Sequence, residues 1–217
     1  VAYRVPGDLS SAAFFIAGAS ALAGSQVTVR DVNLNATRTG FLAVLKHLGA
    51  EIELTNVRGE HGEPIGDLRV TGGHLRSEPD GLLLGGEIIP HIIDEIPILA
   101  VLATQVEGRI EVREARELRI KESDRIRTVV AGIRAMGGVI DEFEDGFAVV
   151  GPQRLHGERV ETEGDHRIAM AFAIAGLMAE GTTEIMDADC ASVSFPEFYD
   201  ILASVAGEGH VCDVVLR

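Results

Sequence analysis

Hydrophobic and polar positions along the chain fall into a pattern that is repeated three times. A helix-length apolar run ends near a glycine, and a short strand rich in β-branched residues follows. Then come an amphipathic helix, a second glycine and another strand. In the first copy these are residues 10–23, Gly24, residues 27–29, a helix over residues 39–47, Gly49 and residues 51–53. The second copy runs through residues 94–106, Gly108, residues 110–112, a helix over residues 123–136, Gly137 and residues 139–140. The third runs through residues 165–179, Gly181, residues 183–185, a helix over residues 195–205, Gly207 and residues 210–211. Extra hairpin strands at residues 68–70 and 147–149 complete two of the copies, and the third lacks its last strand. The copies lie roughly 70–85 residues apart, a repeat period that decides the fold.

The first helix of each copy is apolar nearly all round, as in Ala12-Ala-Phe-Phe-Ile-Ala17, Ile98-Leu-Ala-Val-Leu-Ala103 and Ile168-Ala-Met-Ala-Phe-Ala-Ile174. Such helices are buried on every side. The second helix shows one apolar face, with Ile126, Val129, Val130, Ile133 and Met136 at helical spacing. The glycines suit the left-handed position just past a helix end, where a side chain costs energy. The expected class is therefore α/β: three β-α-β-α-β-β pseudo-repeats, at about residues 1–75, 80–151 and 155–217, with buried helices surrounded by sheets. No low-complexity or Pro/Ser-rich linker divides the chain, so the 217 residues read as one domain.

Composition narrows the function. Thirty-four acidic against 19 basic residues give a formal charge of −15, which disfavours nucleic acid and anionic membrane surfaces as partners but leaves room for a small basic pocket. With no Trp, two Tyr and eight Phe, the core is expected to rest on Ala, Val, Ile and Leu. Cys190 and Cys212 form no CxxC pair and read as reduced, buried thiols. No apolar run approaches the roughly 20 residues of a membrane span. The first residues carry neither a starting Met nor a signal peptide, so the chain is expected to be cytoplasmic and a piece of something longer.

Charge gathers where the second and third buried helices begin. Asp94 and Glu95 open the second, where a carboxylate can serve as a cap. In Leu118-Arg-Ile-Lys-Glu-Ser-Asp-Arg-Ile126, five charged residues fall within seven positions at a strand-to-helix junction. Ser123 is expected to cap the helix, and Glu122 and Arg125, three apart, can share a face. The segment reads either as a solvated loop or as a phosphate site with Lys121 and Arg125 beside a helix start, in which Glu122 can move protons. Gly164-Asp-His-Arg-Ile168 opens the third buried helix. There His166 and Arg167 are either structural or part of the same cleft. If the helix starts converge, then Asp94, Lys121, Glu122, Arg125, His166 and Arg167 surround one site. HExxH, EF-hand, Walker A and strand-linked GxGxxG motifs are all missing from the sequence, so no structural metal or nucleotide fold is indicated.

Four segments carry a resemblance to a known family: Val5-Pro-Gly-Asp-Leu-Ser-Ser-Ala-Ala-Phe-Phe15, Leu118-Arg-Ile-Lys-Glu-Ser-Asp-Arg125, Gly164-Asp-His-Arg-Ile-Ala-Met170 and Ser194-Phe-Pro196. In order and approximate spacing the chain resembles the C-terminal half of the 3-phosphoshikimate 1-carboxyvinyltransferase (EPSP synthase) family of enolpyruvyl transferases. The resemblance implies one domain of an inside-out α/β barrel, with the N-terminal domain absent. It implies transfer of the enolpyruvyl group of phosphoenolpyruvate to the 5-hydroxyl of shikimate 3-phosphate, with release of phosphate, in aromatic amino acid biosynthesis. No metal or organic cofactor is implied.

Carried onto this chain, the resemblance makes Asp94 the proton acceptor near the 5-hydroxyl. It makes Glu122 the proton donor to the methylene carbon of phosphoenolpyruvate. Asp94 and Lys121 would hold shikimate 3-phosphate. Arg125, His166 and Arg167 would hold phosphoenolpyruvate, the forked guanidiniums as a clamp and His166 orienting it. Two departures stand out. Glu117 replaces an Asn found in some members, and Val193 replaces a Lys found in some members. A Lys-Ser pair, a Ser-Ser-Gln loop and a further Arg belong to the family's first half, so this chain alone is expected to fold but to turn over poorly or not at all. The other readings are a non-catalytic module that binds anions or a partner protein, and an enolpyruvyl transferase acting on a nucleotide sugar.

Overall fold

A computed structural model describes residues 5–60, 62–207 and 211–215, the last five as backbone. Helix α1 (Leu9–Ala21) begins the first unit and buries every residue except Ser11 and Ala21. Strand β1 (Gln26–Asn33), helix α2 (Gly40–His47) and the hairpin β2 (Glu51–Glu60) and β3 (Glu63–Thr71) follow. The second unit comprises β4 (Leu82–Leu84), the single turn α3 (Ile89–Ile92), α4 (Ile96–Ala103), β5 (Gly108–Val112), α5 (Arg125–Ala135), β6 (Ile140–Phe143) and β7 (Gly146–Gly151). The third contains β8 (Arg159–Val160), α6 (His166–Met178), β9 (Glu184–Ile185), α7 (Phe198–Val205) and β10 (Val211–Val215).

Helices α1, α4 and α6 touch one another in pairs. All eight residues of α4 are buried, as is α6 from His166 to Ala175 apart from Arg167. Each large aliphatic side chain so removed from water contributes roughly 1.5–3 kcal/mol. Two buried hydroxyls are satisfied locally: Ser20 Oγ of α1 donates to the Ile16 carbonyl at 2.8 Å, and Thr104 Oγ1, just past α4, to that of Val101 at 2.7 Å. The amphipathic α2 and α5 bury one face each, α5 through Ile126, Val129, Val130 and Ile133. Gly132 lets α5 lie against α6, since a Cβ there would stand 2.1 Å from the Phe172 ring.

The sheets share one plan. In the second unit the strand order is β4-β5-β7-β6, with β4 parallel to β5 and the rest antiparallel. Ile110 faces Val149 and Val112 faces Phe147 across the centre. In the first unit the order is β10-β1-β3-β2, so the place held by β4 is filled by β10, parallel to β1. Among the described residues the third sheet has two strands, β8 and β9. The strand expected near residues 210–211 as part of the third copy therefore pairs elsewhere: β10 lies beside β1 in the first unit's sheet.

Several boundaries move. The second buried helix begins at Ile96 rather than at residue 94 and ends at Ala103, because Pro97 suits a first turn and an isolated turn, α3, precedes it. The third amphipathic helix starts at Phe198 after a 3-10 turn (Ala188–Val193). Of the glycines expected in left-handed conformation, Gly24, Gly49, Gly108, Gly137 and Gly181 have positive φ and Gly207 does not. Aliphatic residues dominate the core, but Phe14, Phe15, Phe195, Phe198 and Tyr199 form a linked edge-to-face cluster where α7 meets α1. Cys190 is a half-buried free thiol, raised in pKa by burial. His210 and the side chain of Cys212 lie outside the described residues.

Candidate active site

Three segments far apart in the chain meet at one place: the start of α4, the loop before α5 and the start of α6. Arg125, on the first residue of α5, is the hub. Its side chain is 1% exposed, and each of its three nitrogens faces a different carboxylate. Nε donates to Asp165 Oδ2 at 2.8 Å, Nη2 to Glu122 Oε2 at 2.6 Å, and Nη1 to Asp94 Oδ1 at 3.4 Å. Asp94 turns its other oxygen to Arg167 Nη2 at 3.3 Å, and its carbonyl accepts from Arg167 Nη1 at 3.3 Å. Asp94, Glu122, Arg125 and Arg167 are therefore one ion-paired group, and the helix starts that carry them do converge.

Asp165 is the carboxylate that sequence reasoning missed. It was visible only as the residue before an apolar helix, which is the signature of a cap. It does cap α6, accepting from the Arg167 N–H at 2.9 Å. It also takes the Arg125 guanidinium and the Ser123 hydroxyl, the latter at 3.1 Å. Burial pushes its pKa up, and the hydrogen bonds and charge of Arg125, with the Arg167 N–H and Ser123, outweigh that and hold it below the ordinary value. A charge pair this dry is costly to break from either side.

Two capping expectations fail. Asp124, not Ser123, caps α5, accepting from the Arg127 N–H at 3.0 Å. The reason is competition: the Ser123 hydroxyl is drawn across to Asp165. Neither Asp94 nor Glu95 caps α4 by its side chain. Glu95 is 4% exposed and accepts a hydrogen bond from Ser10, and burial raises its pKa. Ser10 Oγ in turn accepts from Arg38 Nη2 at 2.7 Å.

Lys121 and His166 stand differently from the others. The Lys121 ammonium lies 2.5 Å from Glu117, the position where some relatives have Asn. His166, on the first residue of α6, is 8% exposed, and its pKa is lowered by burial and then by the Arg167 charge. Val193 is 80% exposed. A cavity of about 620 Å³ bordered by His47, Arg76 and Glu107, and another of about 400 Å³ beside Arg127 and Gly132, include none of these side chains. It is the ionisable cluster, not cavity size, that marks the site. Among the described residues no group of His, Cys, Asp and Glu is placed to hold a metal, and no helix is long and apolar enough to cross a membrane.

Chemically, one guanidinium edge presents two solvent-reaching carboxylates, Asp94 and Glu122, whose side chains are 26% and 50% exposed. Two acids held beside a common cation can exchange protons with two positions of one bound molecule. Forked donors on Arg125 and Arg167 suit a planar or tetrahedral anion.

Comparison with known proteins points the same way. The profile of the family described as EPSP synthase (3-phosphoshikimate 1-carboxyvinyltransferase) matches residues 1–202. The chain is 51% identical over 198 residues to the 3-phosphoshikimate 1-carboxyvinyltransferase of Thermodesulfovibrio yellowstonii, covering 91% of this chain and 45% of the relative. It is 50% identical over 202 residues to that of Thermosynechococcus vestitus, covering 93% and 45%. The solved EPSP synthase of Acinetobacter baumannii superposes with a TM-score of 0.87 at 37% identity, over 93% of this chain and 46% of that one. The enolpyruvyl transferase NikO of Streptomyces tendae shares the fold, with a TM-score of 0.67 at 16% identity over 91% of this chain and 42% of that one. The chain spans about half the length of the curated relatives it matches. With the profile spanning nearly all of its residues, the chain belongs to the EPSP synthase (3-phosphoshikimate 1-carboxyvinyltransferase) family.

Proposed function

We propose that this chain is the C-terminal half of a two-domain transferase that moves the enolpyruvyl group of phosphoenolpyruvate onto the 5-hydroxyl of shikimate 3-phosphate and releases phosphate. The observation that carries the reading is the Asp94–Arg125–Glu122 arrangement, in which two carboxylates flank one guanidinium. Glu122 delivers a proton to the methylene carbon while Asp94 accepts the proton of the attacking hydroxyl. In the elimination that follows, a carboxylate takes a proton from the new methyl group as the carbon–oxygen bond to phosphate breaks. Arg167 and Arg125 hold phosphoenolpyruvate, His166 orients them, and Lys121 leaves Glu117 to meet shikimate 3-phosphate.

Charge balance supports a site completed by another domain. Lys121, Arg125 and Arg167 face Asp94, Glu122 and Asp165, and Glu117 already occupies the lysine. Two phosphorylated substrates need more positive charge than this half exposes. The missing N-terminal domain is therefore the expected partner, and the chain by itself is expected to be inactive. The test is phosphate release from shikimate 3-phosphate and phosphoenolpyruvate, measured for the chain alone and together with its N-terminal half, alongside calorimetric titration with shikimate 3-phosphate. Turnover only with both halves present is the expected result. Normal turnover by the chain alone, or no binding and no turnover by the pair, overturns the reading.

A further inference from the structure

Arg119 lies two residues before Lys121 and takes no part in the ion pairs of the cluster. Its guanidinium nevertheless makes five hydrogen bonds, as many as it has N–H groups. Nε donates to the Glu144 carbonyl at 2.7 Å. Nη1 spans both oxygens of Asp124 at 3.1 and 3.0 Å. Nη2 reaches the Glu142 carboxylate at 3.1 Å and the Phe143 carbonyl at 2.6 Å. Three of the acceptor residues, Glu142, Phe143 and Glu144, belong to the end of β6 and the β6–β7 turn, and the fourth, Asp124, caps the helix that carries Arg125.

The segment between Arg119 and Arg125 has little else to hold it on that side. Ile120 is 83% exposed and adds no packing. On the far side Ser123 and Arg125 are tied to Asp165. The loop bearing Lys121 and Glu122 is thus stretched between two anchors, Asp165 at one end and the β6–β7 turn at the other.

We propose that Arg119 is the positioning residue for Glu122, fixing the loop so that this carboxylate meets Arg125 and Asp94 at a single point. The inference rests on the reading of Glu122 as a proton donor. A proton donor displaced by about 1 Å can lose on the order of 10²-fold in rate. A lysine at this position keeps the charge but delivers it from one atom, and cannot span acceptors on a helix cap and a hairpin turn together.

The test compares Arg119→Lys with the unaltered two-domain enzyme by steady-state phosphate release and by amide hydrogen exchange across residues 120–123. Turnover is expected to fall about tenfold or more while KM for both substrates moves less than about threefold, and exchange in the segment is expected to quicken about tenfold. Arg116→Ala, which removes an exposed 2.7 Å pair with Glu144, is expected to change neither. Unchanged turnover, or lost turnover without faster exchange, overturns the proposal. A parent enzyme without phosphate release sinks the functional reading instead, and the exchange measurement then decides alone whether Arg119 holds the loop. Should Arg119→Lys fail to fold, Glu142→Ala removes one acceptor only and is expected to show the same pattern at smaller size. An unmoved segment in that variant overturns the proposal too.

Discussion

The start of α1 and the starts of α4 and α6 occupy equivalent places in the repeat, yet they are built from different physics. At α1, Asp8 caps the helix by accepting from the Ser11 N–H at 2.9 Å, and Arg38 stands 3.7 Å from it, each side chain about half exposed. Between the other two, Arg125 of α5 reaches Asp94 before α4 at 3.4 Å and Asp165 at the start of α6 at 2.8 Å, and Arg125 and Asp165 are 1% and 0% exposed. A polar residue before an apolar helix is the same device in each case. What differs is how much water remains: a solvated pair contributes under about 1 kcal/mol, whereas a desolvated one forms a rigid frame around which reactive groups are fixed. Glu95 joins the two regions, lying beside Asp94 in sequence and hydrogen-bonded to Ser10 of α1.

This contrast can be tested by substitutions on each side. The largest expected effect is on chemistry: Glu122→Gln in the two-domain enzyme should lower turnover about 10²–10⁴-fold while leaving substrate titrations nearly unchanged. An equal loss of binding would make Glu122 a structural partner of Arg125. Next comes Asp165→Ala, which strands a buried guanidinium and should lower unfolding free energy by about 3–5 kcal/mol in denaturant titrations. Asp8→Ala removes only a cap and should cost about 1 kcal/mol. Arg38→Ala should cost less than about 1 kcal/mol and leave phosphate release unaltered. If Asp8→Ala proved as damaging as Asp165→Ala, the distinction between the two regions would be lost.

Acidity sharpens the same comparison. His166 has a folded pKa below its unfolded value of about 6.5, so the unfolded chain takes up the proton first and stability drains away as pH falls through that region. Asp165, also depressed, adds stability that is present above about pH 4 and lost as pH falls through its lower folded pKa. Glu95 behaves oppositely: its raised folded pKa costs stability once pH exceeds the unfolded value near 4.3. Thermal melts of Glu95→Gln should therefore show a higher Tm than the parent at pH 7 and no difference at pH 3.5. His166→Gln should flatten the parent's decline between pH 7 and pH 5.5.

Much of the fold was readable from period and punctuation. The buried helices announced themselves because a run such as Ile98-Leu-Ala-Val-Leu-Ala103 has no polar side to offer water, and local composition is enough to say so. That Asp94, Glu122, Arg125 and Arg167 belong together was readable because charge beside a buried helix is expensive and therefore informative, whereas Lys121 pairs outside that group with Glu117. Asp165 was hidden, since capping explains it without any partner, and its hold on Arg125 comes from a residue 40 positions away. Ser123 was misjudged for the same reason.

By itself the sequence determined which stretches are helix or strand, which helices avoid water, and which residues could carry protons or bind anions, because these depend on neighbours within a few positions. Only the tertiary structure decided that β10 lies beside β1, that Arg125 is stripped of water, and that Arg119 grips a hairpin turn. Those outcomes depend on distances between segments remote along the chain. Solvent exclusion and hydrogen-bond competition there are set by the packed whole, not by any local pattern.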